Sequence, residues 1–287
     1  MIKNPVSYDY AVHSDFLIHW TGKDIDNQHN PGWDESHHSS KTDAIVADLY
    51  LSRLRDILTY GLWMTEEDEQ TFRVGSSQIT IPPTPQCCFT ELKLSESRKH
   101  ARAYGRLGIG VKRPFLFSRF GRPLAYFGFG EQNHNDKFLE ACANDLQDKK
   151  LLNFFKPMNS EIRRLTYDLY GESEWRIIFF EELLNQKKII DPRDPANERE
   201  HAYFNSLTSE QKQTLKYLLP LDGWFAMIIY PDGPVKNSAQ WDNNHGIRDL
   251  VNQIKTLGDH GNRVEGLSNP IRGNWPVEVD LDACRHF

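Results

Sequence analysis

The chain predicts an α+β fold: a single domain in which helices flank a curved or split mixed sheet. Strand-like apolar runs and helix-like periodicities both recur along its 287 residues, without the strict alternation that builds a doubly wound parallel sheet. No repeat, heptad or low-complexity tract divides it, and a chain of this length can bury one sizeable core. Composition agrees: 39% hydrophobic and 26% charged, with 16 Phe, 11 Tyr and 7 Trp to pack an interior or line a cleft.

The elements follow in order. Phe16 to Trp20 is a strand stopped at Thr21-Gly22, and the polar stretch 24–40, with His37 and His38, reads as a long loop. Ala44, Ile45, Ala47, Leu51, Leu54, Ile57 and Leu58 recur at helical spacing, with Asp43 at the start and Gly61 as C-cap. Gln78 to Ile81 is a strand candidate. Pro82, Pro83 and Pro85 then force an extended entry into the buried strand Cys87-Cys88-Phe89-Thr90-Glu91, around which the chain is organised. Ser95 is expected to cap a helix that runs to Tyr104 and breaks at Gly105 and Gly108. Strands are expected at 107–111 and 124–129, joined by a Gly121-Arg122-Pro123 turn. Helices are then expected at 135–146, 151–155 and 160–170, and a strand at 172–180. A surface loop at 191–200, a helix at 209–218, a strand at 224–230, a helix at 244–257 and an edge strand at 275–281 complete the chain. Residues 1–185 form the main unit, and 186–287 finish the same domain.

Net charge is -6, so no general attraction draws the protein to nucleic acid or to an anionic membrane. One basic run stands against that background: Arg98, Lys99, Arg102, Arg106, Lys112, Arg113, Arg119 and Arg122. It is either a solvated face or a patch for a phosphate-bearing ligand. The four cysteines contain no CxxC pair, and no stretch of about 18 apolar residues occurs. Neither a zinc site, a disulfide framework nor a membrane span follows, and a reducing cytoplasm is the expected setting.

Walker, GxGxxG, GxSxG, HExxH and kinase signatures are all missing. Three constellations remain. His19 and Thr21 lie at a strand end, where His19 can donate to a ligand hydroxyl while Thr21 orients it. His100 and Tyr104 share one helix face beside Phe89-Thr90-Glu91, with Arg106 just beyond. Glu172 and Glu174, at i and i+2 on one strand, point the same way, which suits a catalytic carboxylate with an orienting partner. Each also has an ordinary reading: a satisfied core histidine, a polar cap over a strand, and two rim acids of which Arg176 neutralises one.

Taken together, several pieces resemble the AbiGi family of bacterial abortive-infection, phage-resistance proteins, described as antitoxins. They are His19-Trp20-Thr21-Gly22, the helix end Arg55-Asp56-Ile57-Leu58 with Gly61-Leu62, and Cys88-Phe89-Thr90-Glu91-Leu92. His100 with Tyr104-Gly105, Gly108-Ile109-Gly110-Val111, and Glu172 with Glu174-Trp175-Arg176 complete the set, over roughly 16–180. The front of the chain is also similar to DarT-like ADP-ribosyltransferases. That resemblance implies NAD as substrate, with His19, assisted by Thr21, on the nicotinamide ribose and Tyr104 stacking on the ring. It assigns Glu174 to orienting the ribose and opposing the developing oxocarbenium charge. His100 and Arg106 are the further candidate contacts, and Glu172 supports Glu174. A competing class is a non-enzymatic antitoxin or sensor that binds a toxin or phage protein; a metal-dependent nuclease is a third. The transferase reading requires His19 and Glu174 to converge on one cleft with an aromatic wall.

Overall fold

The computed structural model describes residues 16–33, 42–74, 77–91, 93–127, 137–160, 167–168, 170–241, 245–257 and 275–286. The fold is α+β. Its central sheet has seven strands: β1 Phe16–Thr21, β2 Gln86–Thr90, β3 Leu107–Lys112, β4 Arg122–Pro123, β5 Glu174–Ile178, β6 Phe225–Tyr230 and β7 Val277–Asp280. They lie in the order β7-β6-β3-β1-β2-β5-β4. Every neighbouring pair is antiparallel except β6 and β7, so the sheet is mixed.

The sheet is split between β1 and β2. β1 pairs with β3 along its whole length, from Phe16↔Lys112 to Thr21↔Leu107, yet meets β2 at the single register pair Ile18↔Thr90. On one side of the split, Gly110 lets β6 approach β3 closely: a Cβ there would come within 2.6 Å of the Met227 Cβ. On the other side, β5 is buried along all five residues and pairs with the whole of β2.

Three helices frame the split: α1 Lys23–His29, α2 Ala44–Tyr60 and α3 Ser97–Tyr104. Asp43 caps α2 by accepting from the Val46 N–H, and the Gly61 N–H returns to the Ile57 carbonyl. The apolar stripe Val46, Tyr50, Leu51, Leu54, Ile57 and Leu58 joins Leu17, Leu107, Ile109 and Phe225 in the main core. Helix Ile247–Lys255 packs against the same helix. A smaller cluster of Ile79, Ile81, Phe127, Leu139 and Leu152 forms a satellite. It carries the hairpin Gln70–Val74/Ser77–Ile81 and the parallel pair Ala125–Phe127/Phe155–Pro157.

Several expectations are corrected. The stretch expected to be a loop from 24 opens with α1, which buries Ile25 and Asp26; its polar residues hid the helix because Asp26 is consumed by an internal ion pair. His37 and His38 lie outside the described residues. Ser95 is no cap: it sits in a 3-10 turn, Leu94–Glu96, with no capping hydrogen bond, and α3 begins at Ser97. Of the expected helix 160–170, residues 161–166 and 169 lie outside the described residues, while Asn159–Ser160 pairs with Tyr167–Asp168 as strands. The helix from Ser209 stops at Thr214, because Tyr217–Leu219 finds a strand partner in Leu62–Met64.

Candidate functional site

The open edge of β2 is the floor of the site. Hydrogen bonds from the Glu91 N–H to the Ser173 carbonyl and from the Phe179 N–H to the Pro85 carbonyl fix the alternation of this ladder. The peptide groups of Gln86, Cys88 and Thr90 therefore face away from β5, toward the split. Thr90 meets Ile18 of β1, and Gln86 exchanges hydrogen bonds of 2.9 and 3.0 Å with Thr65. Between these two closures the strands part, leaving a cleft of about 420 Å³. That is the size range of small-molecule sites.

β1 delivers His19 to the cleft. Its Nδ1 lies 2.9 Å from the Cys88 carbonyl, which can only accept, so Nδ1 carries the proton and Nε2 is left as an acceptor. Burial lowers the ring's pKa, against the pull of the Cys88 carbonyl, and the imidazole is neutral. The proton expected to be donated to a ligand hydroxyl is instead engaged by the Cys88 carbonyl, and the remaining ring nitrogen can only accept. Nor does Thr21 orient it. The Thr21 hydroxyl accepts from Arg53 at 3.2 Å, and Arg53 also pairs with Asp24 at 2.7 Å.

β5 and the turn before it deliver the carboxylates. Glu174 is the first residue of β5, but Glu172 belongs to a 3-10 turn, Tyr170–Glu172, and Ser173 between them has φ 45°. Strand alternation therefore does not align the pair, as the i, i+2 spacing had suggested. They converge instead because Lys156, from the satellite strand, bridges them: Nζ is 2.6 Å from Glu172 Oε2 and bonds Glu174 Oε2 as well. The Arg176 Nε donates to the other Glu174 oxygen at 2.6 Å, and the Tyr104 hydroxyl donates to Glu172 Oε1. Arg176 does neutralise one acid. Burial pushes the Glu174 carboxyl upward, but Arg176 and Lys156 outweigh it and hold the group down at about 2. Burial likewise depresses the Lys156 ammonium, while Glu174 and Glu172 raise it further above the ordinary lysine range.

The cleft is lined by His19, Thr21, Tyr104, Glu172 and Glu174, five of the residues singled out from sequence. It has aromatic walls. Trp20, Trp63, Tyr104 and Tyr203 are among its lining residues; the Trp63 Nε1 donates to the Tyr203 hydroxyl, and Tyr203 stacks on Tyr60. Two candidates do not reach the cleft. His100 is buried behind Tyr104, with ring centroids 5.8 Å apart, and burial lowers its pKa to about 4. Arg106 is fully buried and holds Asp26 at 2.8 Å and the Thr42 hydroxyl at 3.1 Å; the positive φ of Gly105 turns the chain inward there.

Sequence reasoning missed Lys156, Arg53, Gln86, Trp63 and Tyr203. Only Arg53 left a trace, as a cation on the polar side of an amphipathic helix. Gln86 is 3% exposed, lines the cleft, and has neither amide atom hydrogen-bonded among the described residues. Such a group costs about 1–3 kcal/mol unless a partner arrives.

Four of the eight cations in the basic run are spent on internal or edge ion pairs: Arg98 with Asp282, Arg106 with Asp26, Arg113 with Glu91 and Arg119 with Asp222. Glu91 also accepts from the Trp175 indole at 2.9 Å. Among the described residues no group of three or more His, Cys, Asp or Glu is arranged to hold a metal ion, and no helix is long and apolar enough to cross a membrane. No family model, curated protein or solved structure matches the chain.

The cleft thus combines a neutral imidazole acceptor, a low-pKa carboxylate, a second carboxylate and aromatic faces. Such a set offers acceptors to hydroxyl groups and flat apolar faces to a ring.

Proposed function

We propose that this protein is an NAD-dependent ADP-ribosyltransferase or NAD-cleaving effector of a bacterial abortive-infection response, similar to AbiGi proteins and acting in the cytoplasm. One observation carries the reading: His19 and Glu174, distant in sequence, line one cleft with aromatic walls. Glu174 accepts from the nicotinamide ribose hydroxyls, and its retained negative charge opposes the oxocarbenium charge. His19 Nε2 accepts from a second hydroxyl, and Tyr104 offers its ring to the nicotinamide. The C1′–N bond breaks with its electron pair going to the pyridinium nitrogen. A lone pair of water, or of an acceptor group, forms the new bond at C1′, and its proton is released.

NAD consumption by the purified protein, with and without cell extract, tests this. Wild type should consume NAD or modify an extract component, and Glu174→Gln should not. Absence of turnover with extract from uninfected or infected cells, together with stoichiometric capture of one protein, would replace this reading with the antitoxin or sensor one.

A further inference from the structure

The Lys156 ammonium stands where a ligand's positive charge would be most stable. It lies between Glu172 and Glu174, and Arg176 and Tyr104 hold the remaining carboxylate oxygens. Lys156 reaches these acids from a different structural unit: it sits on Phe155–Pro157 of the satellite, whereas Glu174 begins β5 of the central sheet. Its ion pairs are side-chain contacts, so exchanging them breaks no backbone hydrogen bond of the sheet. The cleft lining as a whole is rich in acid, with Asp24, Asp56, Glu67, Glu172 and Glu174 against Lys23, Arg53 and Lys156. A separate observation marks the same cleft as a ligand site. The buried side chain of Gln86, one of the lining residues, has both its oxygen and its nitrogen unpartnered among the described residues. A carboxamide on the ligand offers that amide a donor and an acceptor at once.

We propose that Glu172 and Glu174 form a cation subsite for a carboxamide-bearing pyridinium riboside, and that Lys156 fills it intramolecularly until such a ligand displaces it. The nature of the glycoside rests on the NAD reading above. As the C1′–N bond breaks, the ring nitrogen loses its positive charge and the ribose gains one. An ammonium bound to the same carboxylates opposes that gain, so Lys156 withdraws before the bond can break. This sets the sign of its effect. A lysine that positions substrate would, when lost, lower binding and turnover; one that occupies the cation subsite would, when lost, raise both.

The probe is the 1-methylnicotinamide cation, titrated calorimetrically into wild type, Lys156→Met and Lys156→Arg. Lys156→Met should bind it about tenfold or more tightly than wild type, Lys156→Arg should resemble wild type, and uncharged nicotinamide should show no comparable gain. Equal or weaker binding by folded Lys156→Met overturns the proposal. Should that variant fail to fold, wild type decides: the cation should raise the rate at which acetic anhydride acetylates Lys156, read by mass spectrometry, and an unchanged rate overturns the proposal. Tighter pyridinium binding without any NAD turnover would remove the NAD reading and leave the subsite standing. NAD turnover with unaltered pyridinium binding would do the reverse.

Discussion

Two buried charge clusters in this protein look alike on paper and differ in what surrounds them. Arg106 and Asp26 pair at 2.8 Å with 0% and 4% of their side chains exposed, and Trp33 and Tyr50 lie about the guanidinium. The second cluster, Lys156 with Glu172, Glu174 and Arg176, has equally short contacts, but one side of it opens on the cleft. A pair sealed on every side has no partner to exchange with and serves to fix architecture. A pair with one open side can trade a partner for a ligand. Burial and pairing therefore do not distinguish structural from functional charges; access does.

The comparison can be broken most directly at Arg106. Arg106→Met leaves Asp26 buried without its cation and should destabilise the fold by about 3–5 kcal/mol, read by urea unfolding. A loss below about 1 kcal/mol would mean that the sealed pair is not architecture. Glu174→Gln probes the open cluster from the other direction. It should lower the proposed NAD turnover by about 10²–10³-fold, while costing less stability than Arg106→Met. Equal damage to stability from both would erase the distinction.

Acid sharpens the same contrast. The folded Glu174 carboxyl titrates at about 2, below its ordinary 4.5, so the unfolded chain binds its proton first as pH falls. The stability this residue contributes is complete above about 4.5 and is lost as pH falls toward 2. In urea unfolding across that window, the difference between wild type and Glu174→Gln should shrink with falling pH; a constant difference would mean that the carboxylate is not held by Lys156 and Arg176. The smallest effect is expected far from either cluster. Asp43→Ala removes the α2 cap and should cost about 1 kcal/mol of stability, with turnover per folded molecule unchanged.

Much of the site was legible because it lies at element ends that the sequence marks. Thr21-Gly22 ends β1 and so places His19, and the prolines before 86 announce β2. Arg106 was misread because a cation just beyond a helix end looks the same in sequence whether the next turn carries it outward or inward; the partner that draws it in, Asp26, lies on α1, where a loop was expected. Lys156 left no signal at all. A lysine between Phe155 and Pro157 acquires its role only from two acids that follow it on other elements.

By itself, then, the sequence determined what local chemistry can dictate. The mixed α+β character, the cap and apolar stripe of α2, the buried strands, and His19, Thr21, Tyr104, Glu172 and Glu174 as candidates all follow from periodicity, turn residues and polar groups near element ends. The tertiary structure alone decided where the sheet splits, which cations enter the cleft and which are sealed away, and which proton His19 carries. Those outcomes depend on pairings between segments far apart in the chain, and no local pattern records the partner that a strand edge or a buried charge will find.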